Sequence, residues 1–143
     1  MARGPALFAA LAALIAAAGA APRPDPAAAV LGAWRFQTEP YASGCVMTGD
    51  LVVMRDANRK GFTCRLVAHE ACPEIKITAQ QVCTLAHAHG AITITSTIEH
   101  VTSPNYAPDN FALKLESASR MSGELRSADI APVVFWRGPG ATS

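Results

Sequence analysis

From Trp34 to near its C-terminus the chain alternates apolar and polar residues with a period of two, and only short connections break the alternation. Ile92, Ile94 and Ile98 alternate with Thr93, Thr95 and Thr97, and Phe111, Leu113 and Leu115 alternate with Ala112, Lys114 and Glu116. An extended strand puts successive side chains on opposite faces, so this pattern describes strands with one dry and one wet face. Residues 34–38, 45–55, 61–69, 74–86, 121–127 and 132–137 read the same way, which makes eight strands in a row. Turn-forming residues fill the gaps at 42–44, 56–61, 71–74, 87–90, 103–110, 117–120 and 127–132. Parallel neighbours need crossovers of a dozen or more residues, so links this short join antiparallel neighbours. The expected fold is all-β, an antiparallel eight-stranded up-and-down meander. Closing it as a small barrel removes its exposed edges, and a two-sheet β-sandwich is the alternative.

The hairpin registers constrain the four cysteines, Cys45, Cys64, Cys72 and Cys83. If the turn near Asn58 joins strands two and three, residues opposite one another have numbers summing to about 117, which sets Cys45 near Cys72. If the turn at 71–74 joins strands three and four, the sum is about 147 and Cys64 faces Cys83. These two bridges are the favoured pairing. A bulge would shift the register by one, so Cys45 with Cys64 and Cys72 with Cys83 stays open. The spacings of 19, 8 and 11 lack the close cysteine pairs of a zinc site.

Cysteine usage agrees with the N-terminus. Residues 1–20 contain one Arg, an apolar run from Ala6 to Ala18, and the small triplet Ala18-Gly19-Ala20. This is the layout of a signal peptide, and the run is shorter than the roughly 20 residues of a spanning helix. No later stretch could span as a helix, so the expected mature chain is periplasmic or secreted. Residues 21–30, rich in Pro and Ala, read as an extended tail, and residues 31–139 as one domain. Without the leader, 11 basic residues balance 11 acidic ones, so nothing marks a nucleic-acid surface.

A resemblance rests on the two ends of the meander. Strand one opens Leu31-Gly32-Ala33-Trp34 and the last ends Phe135-Trp136-Arg137. A Gly-x-Trp followed by a closing Arg resembles lipocalin-like and avidin-like small barrels, including the Inh-type bacterial metalloproteinase inhibitors. The resemblance implies that Arg137 packs over Trp34 as a structural latch, with cation and π face attracting one another.

Chemistry is harder to find. His87 and His89 stand two apart in a turn-like segment, with His100 on the following strand, which is the least that a copper or zinc site needs. The expectation is instead an exposed turn with solvated histidines, with no metal and no cofactor. No nucleophile elbow is present, and the acids Glu70, Glu74, Asp109 and Glu124 fall near strand ends, where charges are usually solvated. The chain therefore reads as non-enzymatic. Inward candidates such as Trp34, Phe36, Phe111, Leu125 and Phe135 can fill a narrow barrel. Ala79, Ser96 and Gly123 are small positions that could leave room inside.

The stretch SPNYAPDNFAL, residues 103–113, spends eight residues where a tight turn would suffice, and its two prolines stiffen it. It can serve as a corner in which Tyr106 folds back over the barrel end, or as a binding surface anchored by Tyr106 with Asn105 and Asp109. The functional expectation is an exported binding or interaction module of the cell envelope, acting through loops on a packed barrel toward a protein or envelope component. The alternatives are an inhibitor of an exported protease that uses the tail, and a carrier of a small apolar ligand.

Overall fold

The structure, a computed structural model, describes Gly19 and residues 25–58 and 61–138. The rest of the expected signal peptide, the first residues of the tail and residue 139 lie outside the described residues. Eight strands follow one another: β1 (Gly32–Thr38), β2 (Val46–Arg55), β3 (Phe62–Ala71), β4 (Lys76–Ala88), β5 (Ala91–Val101), β6 (Asn110–Ser117), β7 (Arg120–Arg126) and β8 (Ile130–Trp136). Each pairs antiparallel with the next, and β8 pairs with β1 from Arg35↔Trp136 to Thr38↔Val133, so the sheet closes into a barrel. The β2–β3 register runs from Val46↔Ala71 to Arg55↔Phe62, and β3–β4 sets Cys64 opposite Cys83. Disulfides join Cys45 to Cys72 and Cys64 to Cys83.

The alternation predicts the interior because a closed sheet has one dry face. Trp34, Phe36, Leu51, Leu66, Ile92, Ile94, Phe111, Met121, Leu125 and Phe135 are almost fully buried. Leu115 is only half-buried and packs at the margin of this core. Phe36, Phe111 and Phe135 fill the centre, with ring centroids 4.9 to 5.5 Å apart in stacked and edge-to-face arrangements that suit the ring quadrupoles. Two glycines make this packing possible. A Cβ on Gly49 would overlap the Val67 carbonyl oxygen and the Phe36 ring, and one on Gly123 would overlap the Ala112 carbonyl oxygen. Gly123 is thus a point of close backbone approach, not a source of internal space.

Several boundaries depart from the sequence reading, two of them with a clear physical reason. Residues 26–30 do not extend the tail; Pro26–Val30 is a 3-10 helix, because Asp25 accepts a hydrogen bond from the Ala27 amide and Pro26 suits a first helical position. Val30 is 0% exposed there, so the last residue of the tail joins the core. Strand β4 reaches Ala88, since His89 and Gly90 both have positive φ, 53° and 80°, as a two-residue hairpin turn requires. Strand β8 begins at Ile130, ahead of Pro132.

The barrel has two unlike ends. One carries the connection between Arg55 and Phe62 and the tight turns at 89–90 and 118–119, and the N-terminal helix covers it. The other carries the connections 39–45, 72–75, 102–109 and 127–129.

Candidate functional site

At the covered end, Trp34 donates its indole hydrogen to the Val30 carbonyl at 2.8 Å. The Arg137 guanidinium lies 3.8 Å from the Trp34 ring centroid, donates to the Leu31 carbonyl at 2.6 Å, and also bonds the Ala29 carbonyl. His87 is not a solvated turn residue: it sits in β4, and its Nδ1 donates to the Ala27 carbonyl at 3.1 Å. His100 pairs with Gln80 at the far end of β4, seven residues and about 23 Å away at 3.3 Å per residue. The three histidines therefore do not converge. Among the described residues, one group has metal-ligand spacing, Cys45, Glu70 and Cys72, and its two sulfurs are spent in a disulfide.

The loop end is where the polar groups gather. The Cys45–Cys72 bridge ties the β1–β2 connection to the β3–β4 connection. A tight loop in which Tyr41 and Cys45 exchange backbone hydrogen bonds of 2.9 Å holds Tyr41 inward, 8% exposed. The Tyr41 hydroxyl donates to Glu70 at the end of β3. Opposite, the 102–109 connection folds back, and Tyr106 packs half-buried against the core. Its hydroxyl donates to Asp109 Oδ2 at 2.7 Å. Gln81 of β4 donates to the same oxygen at 2.7 Å and accepts from the Asp109 amide at 2.9 Å. Asn110 accepts from the Ser96 amide at 2.8 Å, continuing by side chain a β5–β6 ladder whose strand pairing stops at Ile94↔Phe111.

Asp109 is 0% exposed, and its Oδ1 has no hydrogen-bond partner among the described residues. This overturns the expectation of a solvated acid at a strand end. Burial raises its pKa from 3.8 to about 6, with Tyr106, Gln81 and the nearby Ser127 hydroxyl pulling the other way. Burial also pushes both tyrosine hydroxyls well above their ordinary range, aided by Glu70 for Tyr41 and by Asp109 for Tyr106. Both remain neutral donors. Between them opens a cup of about 120 Å³, whose lining includes Tyr41, Glu70, Asn105, Tyr106, Ser127 and Asp129.

Of the residues the sequence singles out, Asn105 stands exposed at the rim, Tyr106 forms a wall, and Asp109 lies one hydrogen bond behind it. Glu124 pairs with Arg126 at 3.4 Å outside the cup. Sequence reasoning missed Tyr41, Gln81, Ser127 and Asp129. Gln81 had a legible signal, as a polar residue on the inward parity of Ala79, Cys83 and Leu85. Tyr41 had none, because its partner Glu70 is 29 residues away.

No known family model and no curated protein matches this chain. Solved structures that resemble it include designed proteins. A de novo designed fluorescence-activating β-barrel aligns with a TM-score of 0.54 at 12% identity, covering 78% of this chain and 96% of that one. The redesigned β-barrel mFAP1, bound to DFHBI, aligns with a TM-score of 0.53 at 15% identity, covering 78% and 97%. At such identities the likeness concerns the fold alone: an eight-stranded antiparallel β-barrel.

Proposed function

We propose that this protein is an exported, non-enzymatic binding module of the cell envelope, which engages a protein or envelope component through the loop end of a packed barrel. The observation that carries this reading is the buried Asp109 carboxylate, with one oxygen unpartnered, held behind Tyr106 at the end where four connections meet. Stability alone gives no reason to bury it, and groups buried at a cost tend to mark functional sites. Two disulfides suit an oxidising compartment and support export together with the signal-peptide layout.

The Trp34–Arg137 stack supports the lipocalin-like resemblance at the finer level. It does not favour a carrier, since the three phenylalanines occupy the barrel centre. Tail-mediated protease inhibition is also disfavoured, because His87, Trp34 and Arg137 hold residues 27–31 on the barrel.

Mature protein immobilised and exposed to its own envelope extract tests the reading, with Tyr106→Ala and Glu116→Gln beside the parent. Glu116 lies near the covered end, so its variant should capture as the parent does. Tyr106→Ala, assayed well below its melting temperature, should lose at least tenfold in captured partner. Equal capture by all three would contradict the reading.

A further inference from the structure

The carboxylates are distributed unevenly. Asp25, Asp50, Glu99, Glu116 and Glu124 each pair with an arginine. Glu39, Glu70, Glu74, Asp109 and Asp129 form no ion pair among the described residues, and all five stand at the loop end. Basic residues there are Lys76 and Arg126, with His69 and His100 exposed on the ends of β3 and β5, and Arg126 is held by Glu124. The cup lining contains Glu70 and Asp129 but no Lys, Arg or His. Tyr41 and Tyr106 line it, and behind Tyr106 the Asp109 Oδ1 lacks a hydrogen-bond partner among the described residues. Negative potential and aromatic faces, focused in a low-dielectric concavity, attract an organic cation.

Size and geometry narrow the ligand class. About 120 Å³ is well below the roughly 300 Å³ at which pockets begin to enclose a whole small molecule, so the cup fits a head group. Glu70, Asp109 and Asp129 do not converge as metal ligands, since the group with that spacing among the described residues is the disulfide pair with Glu70. A bare divalent ion would have no oxygen cage there. We propose that the cup receives the ammonium or guanidinium tip of a lysine or arginine side chain presented by the partner, seated between Tyr41 and Tyr106 and neutralised by Glu70 and Asp129, with the buried Asp109 adding its charge from behind Tyr106. This rests on the loop-end binding reading and gives that end its chemistry.

The test uses mature protein and Nα-acetylarginine amide as the probe, with neutral Nα-acetylcitrulline amide as its near-isostere. Amide shifts at the loop end report binding. The arginine probe should saturate in the millimolar range and the citrulline probe bind at least tenfold more weakly. Glu70→Gln should weaken the arginine probe at least fivefold. Asp129→Asn, an exposed change that leaves the fold alone, should weaken it about two- to threefold. Agmatine and a Gly-Arg-Gly peptide distinguish the sources: tighter peptide supports a protein-borne side chain, and tighter agmatine assigns the same cation site to a free amine. Equal binding of arginine and citrulline probes, or no loop-end shift at 50-fold the ordinary probe concentration, overturns the proposal. The capture assay separates the two claims: capture that needs Tyr106 but is unchanged by both Glu70→Gln and Asp129→Asn sinks the cation site and leaves the binding module standing. Loss of Tyr106-dependence sinks the module itself.

Discussion

Asp109 is held as a carboxylate where an amide would cost less. Its pKa of about 6 in the fold, against an ordinary 3.8, means the folded state prefers the protonated form. The associated stabilisation is complete below about pH 4 and is lost as pH rises through 6. The loss is on the order of 3 kcal/mol at neutral pH. Asp109→Asn keeps an acceptor for Tyr106 and Gln81 and removes the charge. It should raise the melting temperature at pH 7.5, by roughly 1 kcal/mol of stability or more, and flatten the pH dependence between 4 and 7. An unchanged or lower melting temperature would count against the buried-charge argument. Arg137 shows the opposite economy, since it stacks on Trp34 and satisfies two carbonyls of the N-terminal segment. Arg137→Ala should cost about 2 to 3 kcal/mol in urea unfolding, with partner capture kept. Arg137→Lys should recover part of this, because an ammonium cannot reproduce the planar fork. An Ala variant as stable as the parent would remove the latch from the account.

At the scale of the element, strand register is what the sequence makes legible. Opposed residues in a hairpin keep a constant numerical sum, so two turns were enough to face Cys64 with Cys83 and bring Cys45 to Cys72. Where a boundary depended on backbone conformation, the pattern failed: positive φ at His89 and Gly90 carries β4 two residues past its expected end. The loop-end site was legible in residue type but not in placement. Tyr106 and Asp109 stand out in the opening between β5 and β6, yet the burial of Asp109 depends on Gln81, 28 residues earlier, and only the closed barrel brings them together. Gly49 is similar, an unremarkable strand glycine until Phe36 and Val67 are seen against it. Gly49→Ala should lower stability by about 2 to 3 kcal/mol, since the new methyl meets backbone as well as a ring and cannot be relieved by a rotamer change. A urea midpoint equal to the parent's would show that β2 and β3 have more room than the structure gives them.

At the scale of the whole molecule, the barrel is asymmetric along its axis. One end is covered by the N-terminal helix, the centre is filled by three phenylalanines, and the other end collects four of the seven connections, one disulfide and five acids that form no ion pair among the described residues. With the centre filled, the binding role proposed here falls to a surface, and the arrangement of charge points to one end. The most direct measurement is position-resolved photocrosslinking in the native envelope, with a photoreactive residue replacing Asn105 or Ala128 at the loop end, or Lys114 or Glu116 toward the covered end. A loop-end interface predicts one common crosslinked product from Asn105 and Ala128 and none from Lys114 and Glu116. Crosslinking from the covered end alone, or the same product from all four positions, would contradict it.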